Sequence, residues 1–418
     1  MYFFDTCALV NNYEILEEKI HNHELFISNI SLIELESIKT SKNKNYETIY
    51  RARKVTNILN QNFNDVNIIN YFPNNENKIP EFETNNDYKI ISCALAAKQT
   101  IPNIKFVTED LSCYNIARTY NLDCVPIDFF KKEEYKGYVE INTANDTELT
   151  EVYNNIYLNN IKLIENRYSI KLEENEYLIL LESNKIIDFF IYLDGQLHNI
   201  KFNTIDTKRF GQIKPLDTYQ ILALDSLNRN QITILRGPAG SGKSYLGLGF
   251  LFSKLEAGEI DKIIIFCNTV ATADSAKLGF YPGSKNSKLL DSQIGNFLAS
   301  KLGDMSEVER LINDGSIILI PMSDCRGFDT TGMRAGIYCT EGQNMTIDMM
   351  KLLLQRIGDD SFCIIEGDNK AQVDLNIYSG SNNGLSRAIE VFKGEKIFGT
   401  VTLPNVHRSK IAEIAERM

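Results

Sequence analysis

The eight cysteines of this 418-residue chain form no CxxC pair. They are scattered, which argues against a zinc site or a disulfide framework. Several lie inside apolar runs (FFDTCAL, IISCALA, IIIFCN) and read as small core residues. No apolar run is long enough to span a bilayer. The opening residues lack the basic segment, apolar core and cleavage site of a secretory signal, so the cytosol is the expected compartment. An excess of positive charge is also missing. The net charge of −11 argues against a histone-like or tail-driven nucleic-acid binder. Local basic loops, or an acidic site that meets phosphates through metal ions, remain compatible with it. There is no internal repeat and no low-complexity tail.

What is present is an ordinary globular balance, 43% hydrophobic and 24% charged. The length suggests two or three domains. Residues 1–132 alternate strand-like runs (ELFISNIS, IKFVTED, DCVPIDFF) with helix-like ones (YKIISCALAAKQ, LSCYNIARTYN). Such alternation predicts a parallel sheet with helices on both faces. In SLIELESIKT, Ser31 is expected to cap a helix, with Glu34 three residues on as its capping-box partner. Residues 133–210 change texture: GYVEINT, YLILLESN and DFFIYLDG are strand-like and helical periodicity is weak, which predicts a small β-rich connector. Alternation returns over 211–418 with QITIL, KIIIFCN, SIILIPM, AGIYCTE and SFCIIEGD as strands, and TIDMMKLLLQRIG as a helix. The fold class is therefore α/β throughout, with the connector between two sheets.

The first strand, MYFF, runs into Asp5. Asp5 is either a helix N-cap or a metal ligand at the carboxyl edge of a parallel sheet. Taken alone it decides neither.

The strongest motif is RGPAGSGKS. Gly237, Pro238, Ala239, Gly240, Ser241, Gly242, Lys243 and Ser244 match G-x-x-x-x-G-K-[ST] between a strand and an apolar helix. Backbone N–H groups there cradle phosphates, Lys243 meets the β/γ-phosphates, and Ser244 can ligate Mg2+. A nucleoside triphosphate with Mg2+ is the expected ligand. Glu341, at the end of AGIYCTE, is placed to polarise a water. Thr340 precedes it where an Mg2+-holding acid is usual. Asp368 and Gln372 are suited to sensing the γ-phosphate, Arg408 to acting as an arginine finger, and Gln220 to reading an adenine edge.

From Gln220 onward the ordered set RGPAGSGKS, LGFYPGS, LIPMSDCRG, TEGQNMT, GDNKAQVDL, NNGLSRAIEVFKG and VTLPNVHRS resembles the PhoH family of P-loop ATPases. The resemblance implies a RecA-like fold, ATP hydrolysis, single-stranded RNA as substrate and a homo-oligomer, commonly a hexameric ring. The first 130 residues resemble a PIN domain, a three-layer α/β/α ribonuclease fold. That resemblance implies four acids at one site, here Asp5, Glu34, Asp87 and Asp110, with Asp5 and Asp110 ending strands and Glu34 and Asp87 starting helices. Together they imply bound Mg2+ or Mn2+, since such carboxylates repel one another without a hard cation. Glu36 and Glu109 are expected on solvated faces.

Four departures bear on the ATPase: Thr340 for an aspartate, Cys267 and Phe328 for arginines, and an extra residue before Gln372. The expected function is a metal-dependent endoribonuclease coupled to an ATP-driven RNA helicase or translocase. The alternative is a nucleotide-gated switch or scaffold with a slow ATPase. A small-molecule kinase leaves the N-terminal acids without a role.

Overall fold

The computed structural model describes residues 1–41, 44, 46–71, 85–127, 129–130, 134–200, 204–267, 293–368 and 383–407. It divides into two compact units, Met1–Glu134 and Tyr135–Met418.

In the first unit, β1 (Tyr2–Phe4), β2 (Leu25–Ser28), β3 (Asn67–Ile69) and β4 (Lys105–Val107) form one sheet in the order β3-β2-β1-β4, every pair parallel. A parallel sheet is covered on both faces, so its strands are apolar at successive positions rather than alternately. Phe3 and Phe4 point to opposite faces. Phe4 packs with Leu9, Leu16 and Val55, and Phe3 with Ile91, Ala94 and Phe106. This is the expected three-layer arrangement.

Two details differ from the sequence reading. DCVPIDFF contributes only an isolated bridge, Phe106 to Cys124, to the sheet; Pro126 has no N–H to extend a ladder. The helix that carries Glu34 runs Asn29–Thr40, and its cap is Ser28, whose side chain accepts from Ser31 N–H. Ser31 is buried inside the helix, so the expected capping box does not form. The cap lies three residues earlier because β2 ends at Ser28 and the chain turns there at once.

The second unit holds three sheets. Strands β5 (Tyr138–Thr143), β6 (Tyr177–Glu182), β7 (Lys185–Leu193) and β8 (Gln196–Asn199) lie in that order. The β5–β6 pair is parallel and the rest antiparallel. A parallel pair needs a crossover, and helices Asp146–Tyr157 and Ile161–Tyr168 supply it. The connector expected as β-rich thus contains two helices. Leu149, Val152, Tyr153 and Ile156 share one helical face against this small sheet. Strands β9 (Ile205–Thr207) and β10 (Gly211–Ile213) form a short antiparallel ladder.

The main sheet comprises β11 (Ile232–Arg236), β12 (Lys262–Cys267), β13 (Ile317–Pro321), β14 (Ala335–Cys339), β15 (Phe362–Gly367) and β16 (Phe398–Thr402). Its order is β13-β12-β14-β15-β11-β16, all parallel. Strand β15 therefore lies between the phosphate-loop strand β11 and the Glu341 strand β14. This is a P-loop α/β domain in which the carboxyl end of β15 borders the loop, Gly237 N–H donating to Gly367 O at 3.2 Å, and that of β14 lies one strand further away.

Candidate functional site

In the first unit, Asp5 follows β1 directly and caps helix Thr6–Asn11, its Oδ1 accepting from Ala8 N–H at 2.7 Å. Both readings of Asp5 are therefore compatible: it caps a helix and it stands at the carboxyl edge of the sheet. Asp110 does the same beyond β4, its Oδ1 accepting from Ser112 and Cys113 N–H at 2.7 and 2.9 Å. Asp87 lies in the first turn of helix Asn86–Thr100, which Asn85 caps. Glu34 is inside its helix rather than at the start. Its oxygens accept from Thr6 Oγ1 at 2.5 Å and Asn86 Nδ2 at 2.9 Å. Those two bonds tie Glu34 to the helices that begin beside Asp5 and Asp87.

Asp5 and Asp87 sense neighbouring acids. Burial raises the carboxyl of Asp5 to about 6, and the charge of Asp87 adds to the rise. Partial burial, then the charges of Glu34 and Asp110, raise Asp87. The donors are all oxygens, and their charge suits a hard divalent cation. Asp5 and Asp110 are held by the helices they cap, and Glu34 by Thr6 and Asn86. Among the described residues, no three His, Cys, Asp or Glu side chains are gathered as an ion-holding group. Glu36 is exposed and pairs with Lys39 at 2.7 Å, as a solvated face implies. Glu109 is not merely solvated. It accepts from Asn11 and Asn12, each at 2.8 Å, and so clamps the end of β4 to helix Thr6–Asn11. Cys7, beside Asp5, is pushed up to about 12 by burial and stays a neutral thiol.

In the second unit, β11 runs into the phosphate loop and helix Lys243–Glu256 follows. Gly237, Gly240 and Gly242 have φ of 145°, 88° and 97°, a region that side chains rarely adopt. A Cβ on Gly237 would also lie 2.3 Å from Leu403 O. Lys243 Nζ donates to Gly237 O at 2.5 Å and Pro238 O at 2.9 Å, folding onto its own loop. Ser241 Oγ is buried with no hydrogen-bond partner. Gln220 is 3% exposed. Its Nε2 donates to Ser241 O at 3.0 Å and its Oε1 accepts from Leu216 N–H at 2.8 Å, so its amide buttresses the loop from behind. His407 N–H donates to Gly240 O at 3.0 Å, and its ring lies 2.7 Å from Asp217, which caps the Gln220 helix.

Glu341 adopts a left-handed backbone, φ 52°, an uncommon state for a non-glycine residue. Gln343 Nε2 donates to its Oε2 at 2.5 Å, while Gln343 Oε1 accepts from Asp368 N–H at 3.0 Å. The ends of β14 and β15 are thereby latched together. Thr340 leans its hydroxyl on Phe266 O at 3.4 Å. Cys267 is buried, and Phe328 packs edge-on against Phe266, so both are core rather than phosphate contacts. Gln372 and Arg408 lie outside the described residues.

One residue the sequence reading passed over stands at this site. Glu366, near the end of β15, is 7% exposed, and its Oε2 accepts from Ser244 Oγ at 2.7 Å. Burial raises its carboxyl and Glu341 adds to the rise, while Tyr338, Ser244 and Lys243 counteract it. The signal was available: IIEGD is an apolar run ending in an acid, the pattern already noticed at Asp5.

The PIN domain family matches residues 2–128 and the PhoH-like protein family residues 212–418. "Protein PhoH2" of Bacillus subtilis is 31% identical over 225 residues, covering 52% of this chain and 50% of that protein. A "PhoH-like protein" of the same organism is 34% identical over 198 residues, covering 47% and 57%. "Protein PhoH2" of Thermobispora bispora is 30% identical over 219 residues, covering 51% and 48%. The chain spans about half the length of these relatives.

Proposed function

The chain is a PIN–PhoH fusion protein, and on that premise we propose that it is an RNA-processing enzyme. Its first unit cuts single-stranded RNA. Its second binds and hydrolyses ATP to move or unwind that RNA, working as a homo-oligomer in the form of a hexameric ring. The reading is carried by the placement of Asp5 and Asp110 beyond neighbouring parallel strands, with Glu34 tied to the helices beside Asp5 and Asp87, on a chain that also has a complete phosphate loop.

In the first unit, Asp5, Glu34, Asp87 and Asp110 hold Mg2+ or Mn2+. The bound ion supplies charge neutralisation and an activated water for attack on a phosphodiester. Thr6 and Asn86 keep the Glu34 carboxylate turned toward the shared edge. The helix caps on Asp5 and Asp110 leave one oxygen of each carboxylate outside the cap.

In the second unit, Lys243 exchanges the carbonyls of Gly237 and Pro238 for phosphate oxygens when nucleotide arrives. The buried Ser241 hydroxyl gains a partner in the same event. Glu341, held by Gln343, accepts a proton from the attacking water. Asp368 and Gln372 respond to the γ-phosphate, and Arg408 supplies charge to it.

Labelled RNA and DNA are incubated with Mg2+ or Mn2+, with and without ATP, using wild type and Asp5→Asn. Metal-dependent RNA cutting that D5N loses supports the nuclease; equal cutting by both proteins removes it. The neutral Thr340 favours a second reading, a nucleotide-gated switch. ATPase turnover stimulated many-fold by RNA rules that reading out. Assembly that needs ATP yet persists in Glu341→Gln supports it.

A further inference from the structure

The end of β14, where an acid would serve the magnesium of a bound nucleotide, offers Thr340, which has no charge to give. A carboxylate is nevertheless present one strand nearer the phosphate loop. Strand β15 pairs directly with β11, with Glu366 opposite Leu235 and Gly367 opposite Arg236. That register brings Glu366 beside the start of helix Lys243–Glu256, and its Oε2 meets Ser244 Oγ at 2.7 Å. Glu366 is 7% exposed. An unpaired carboxylate in such a place carries a large desolvation cost. A purely structural role would show it matched by a buried cation or by several N–H groups. Its Oε2 instead accepts from the hydroxyl that faces the nucleotide's cation in phosphate loops.

The surroundings are arranged around the same point. Tyr338 is fully buried on β14, and its hydroxyl has no partner of ordinary hydrogen-bond geometry. Its ring lies so close under the loop helix that a Cβ on Gly247 would be 2.7 Å from it. Ser241 Oγ is likewise buried and unpartnered. Buried hydroxyls without partners are uncommon, and Tyr338 lies close enough to Glu366 to ease the cost of its charge.

We infer that Glu366 is the magnesium-side carboxylate of the nucleotide site, standing in from β15 for the acid that Thr340 does not supply on β14. The inference rests on the nucleotide-binding reading above. It changes what Thr340 means: the acid is relocated by one strand, and the site keeps its Ser–carboxylate pair.

The test is binding of the fluorescent nucleotide mant-ATP to the full chain, titrated with Mg2+ and repeated in EDTA. Wild type binds in EDTA and binds more tightly as Mg2+ is added. Glu366→Gln is expected to keep its EDTA affinity, since Lys243 and the loop are intact, and to need at least about 10-fold more Mg2+ for half of the tightening. The double variant T340D/E366Q, with the carboxylate returned to β14, is expected to recover most of that loss. Unchanged Mg2+ dependence in E366Q overturns the inference while leaving nucleotide binding standing. Wild type that binds no mant-ATP under either condition removes the nucleotide reading and the inference together. Circular dichroism checks folding. Should E366Q not fold, Glu366→Asp replaces it. Retracting the carboxylate by one methylene is expected to raise the Mg2+ requirement at least about 3-fold, and no change overturns the inference.

Discussion

Two sheet edges in this chain place carboxylates at the carboxyl ends of parallel strands, and they hold them in opposite ways. At the first, Asp5 and Asp110 are fixed by the helices they cap, and Glu34 by Thr6 and Asn86. The charges of Glu34 and Asp110 raise the carboxyl of Asp87, and that of Asp87 adds to the rise at Asp5, while the carboxylates of Asp5, Glu34 and Asp110 are held by separate hydrogen bonds. At the second, one buried carboxylate is already joined to its hydroxyl partner at 2.7 Å. Like charges that share an edge gain most from a cation. A single carboxylate beside a hydroxyl and a lysine needs it least for its shape. The first site is one that a metal would assemble; the second is largely assembled in advance.

The largest expected effect separates the two edges outright. D5N should lower metal-dependent RNA cleavage on the order of 100-fold or more while leaving mant-ATP binding unchanged. Lys243→Ala should weaken mant-ATP binding by about the same factor and leave ATP-independent cleavage intact. Cleavage gels and fluorescence titrations on both variants check this; a variant that loses both activities would break the separation.

Glu176 is the control, a buried carboxylate with a backbone partner, Glu173 N–H at 2.9 Å, and no place at either edge. Burial raises it from 4.5 to about 7. Folding therefore favours its protonated form. The stability this lends is complete below the unfolded value and is lost as pH rises through the folded one. Glu176→Gln should flatten the fall in stability between about pH 5 and pH 8 by ~3 kcal/mol. Urea melts at the two pH values read the difference.

Gly247→Ala comes next. Its Cβ would lie 2.7 Å from the Tyr338 ring, so crowding should cost about 1–3 kcal/mol and outweigh the gain of about 1 kcal/mol in helix propensity. A thermal melt measures the balance, and a rise in melting temperature would show that Tyr338 yields freely. The smallest effect is expected for Ser28→Ala, which removes the cap of the Glu34 helix at about 1 kcal/mol. It sharpens the comparison by asking whether loosening that helix also weakens RNA cleavage, read by the same gels.

Much of this architecture was legible in the residues. Apolar runs such as YFF, ITILR and KIIIFC announce buried parallel strands, because both faces of such a strand are covered. The phosphate loop declares itself because glycines at positive φ have few substitutes. The Glu34 helix was misplaced by three residues at its start because Ser28 and Ser31 carry the same capping chemistry, and only the end of β2 chooses between them. The two connector helices were missed because their apolar face, Leu149 to Ile156, is interleaved with polar residues that carry no strong period in the wider window.

The order of residues by itself determined the two Rossmann-like alternations, the loop that grips phosphate, and the presence of acids after apolar strands, since these follow from side-chain period and backbone freedom that are local properties. The tertiary structure alone decided which acid serves which neighbour. Glu366 and Ser244 are separated by 122 positions along the chain and by 2.7 Å in space. Pairing of β15 with β11 creates that contact, and strand order is set by how whole faces pack, which no short stretch of sequence contains.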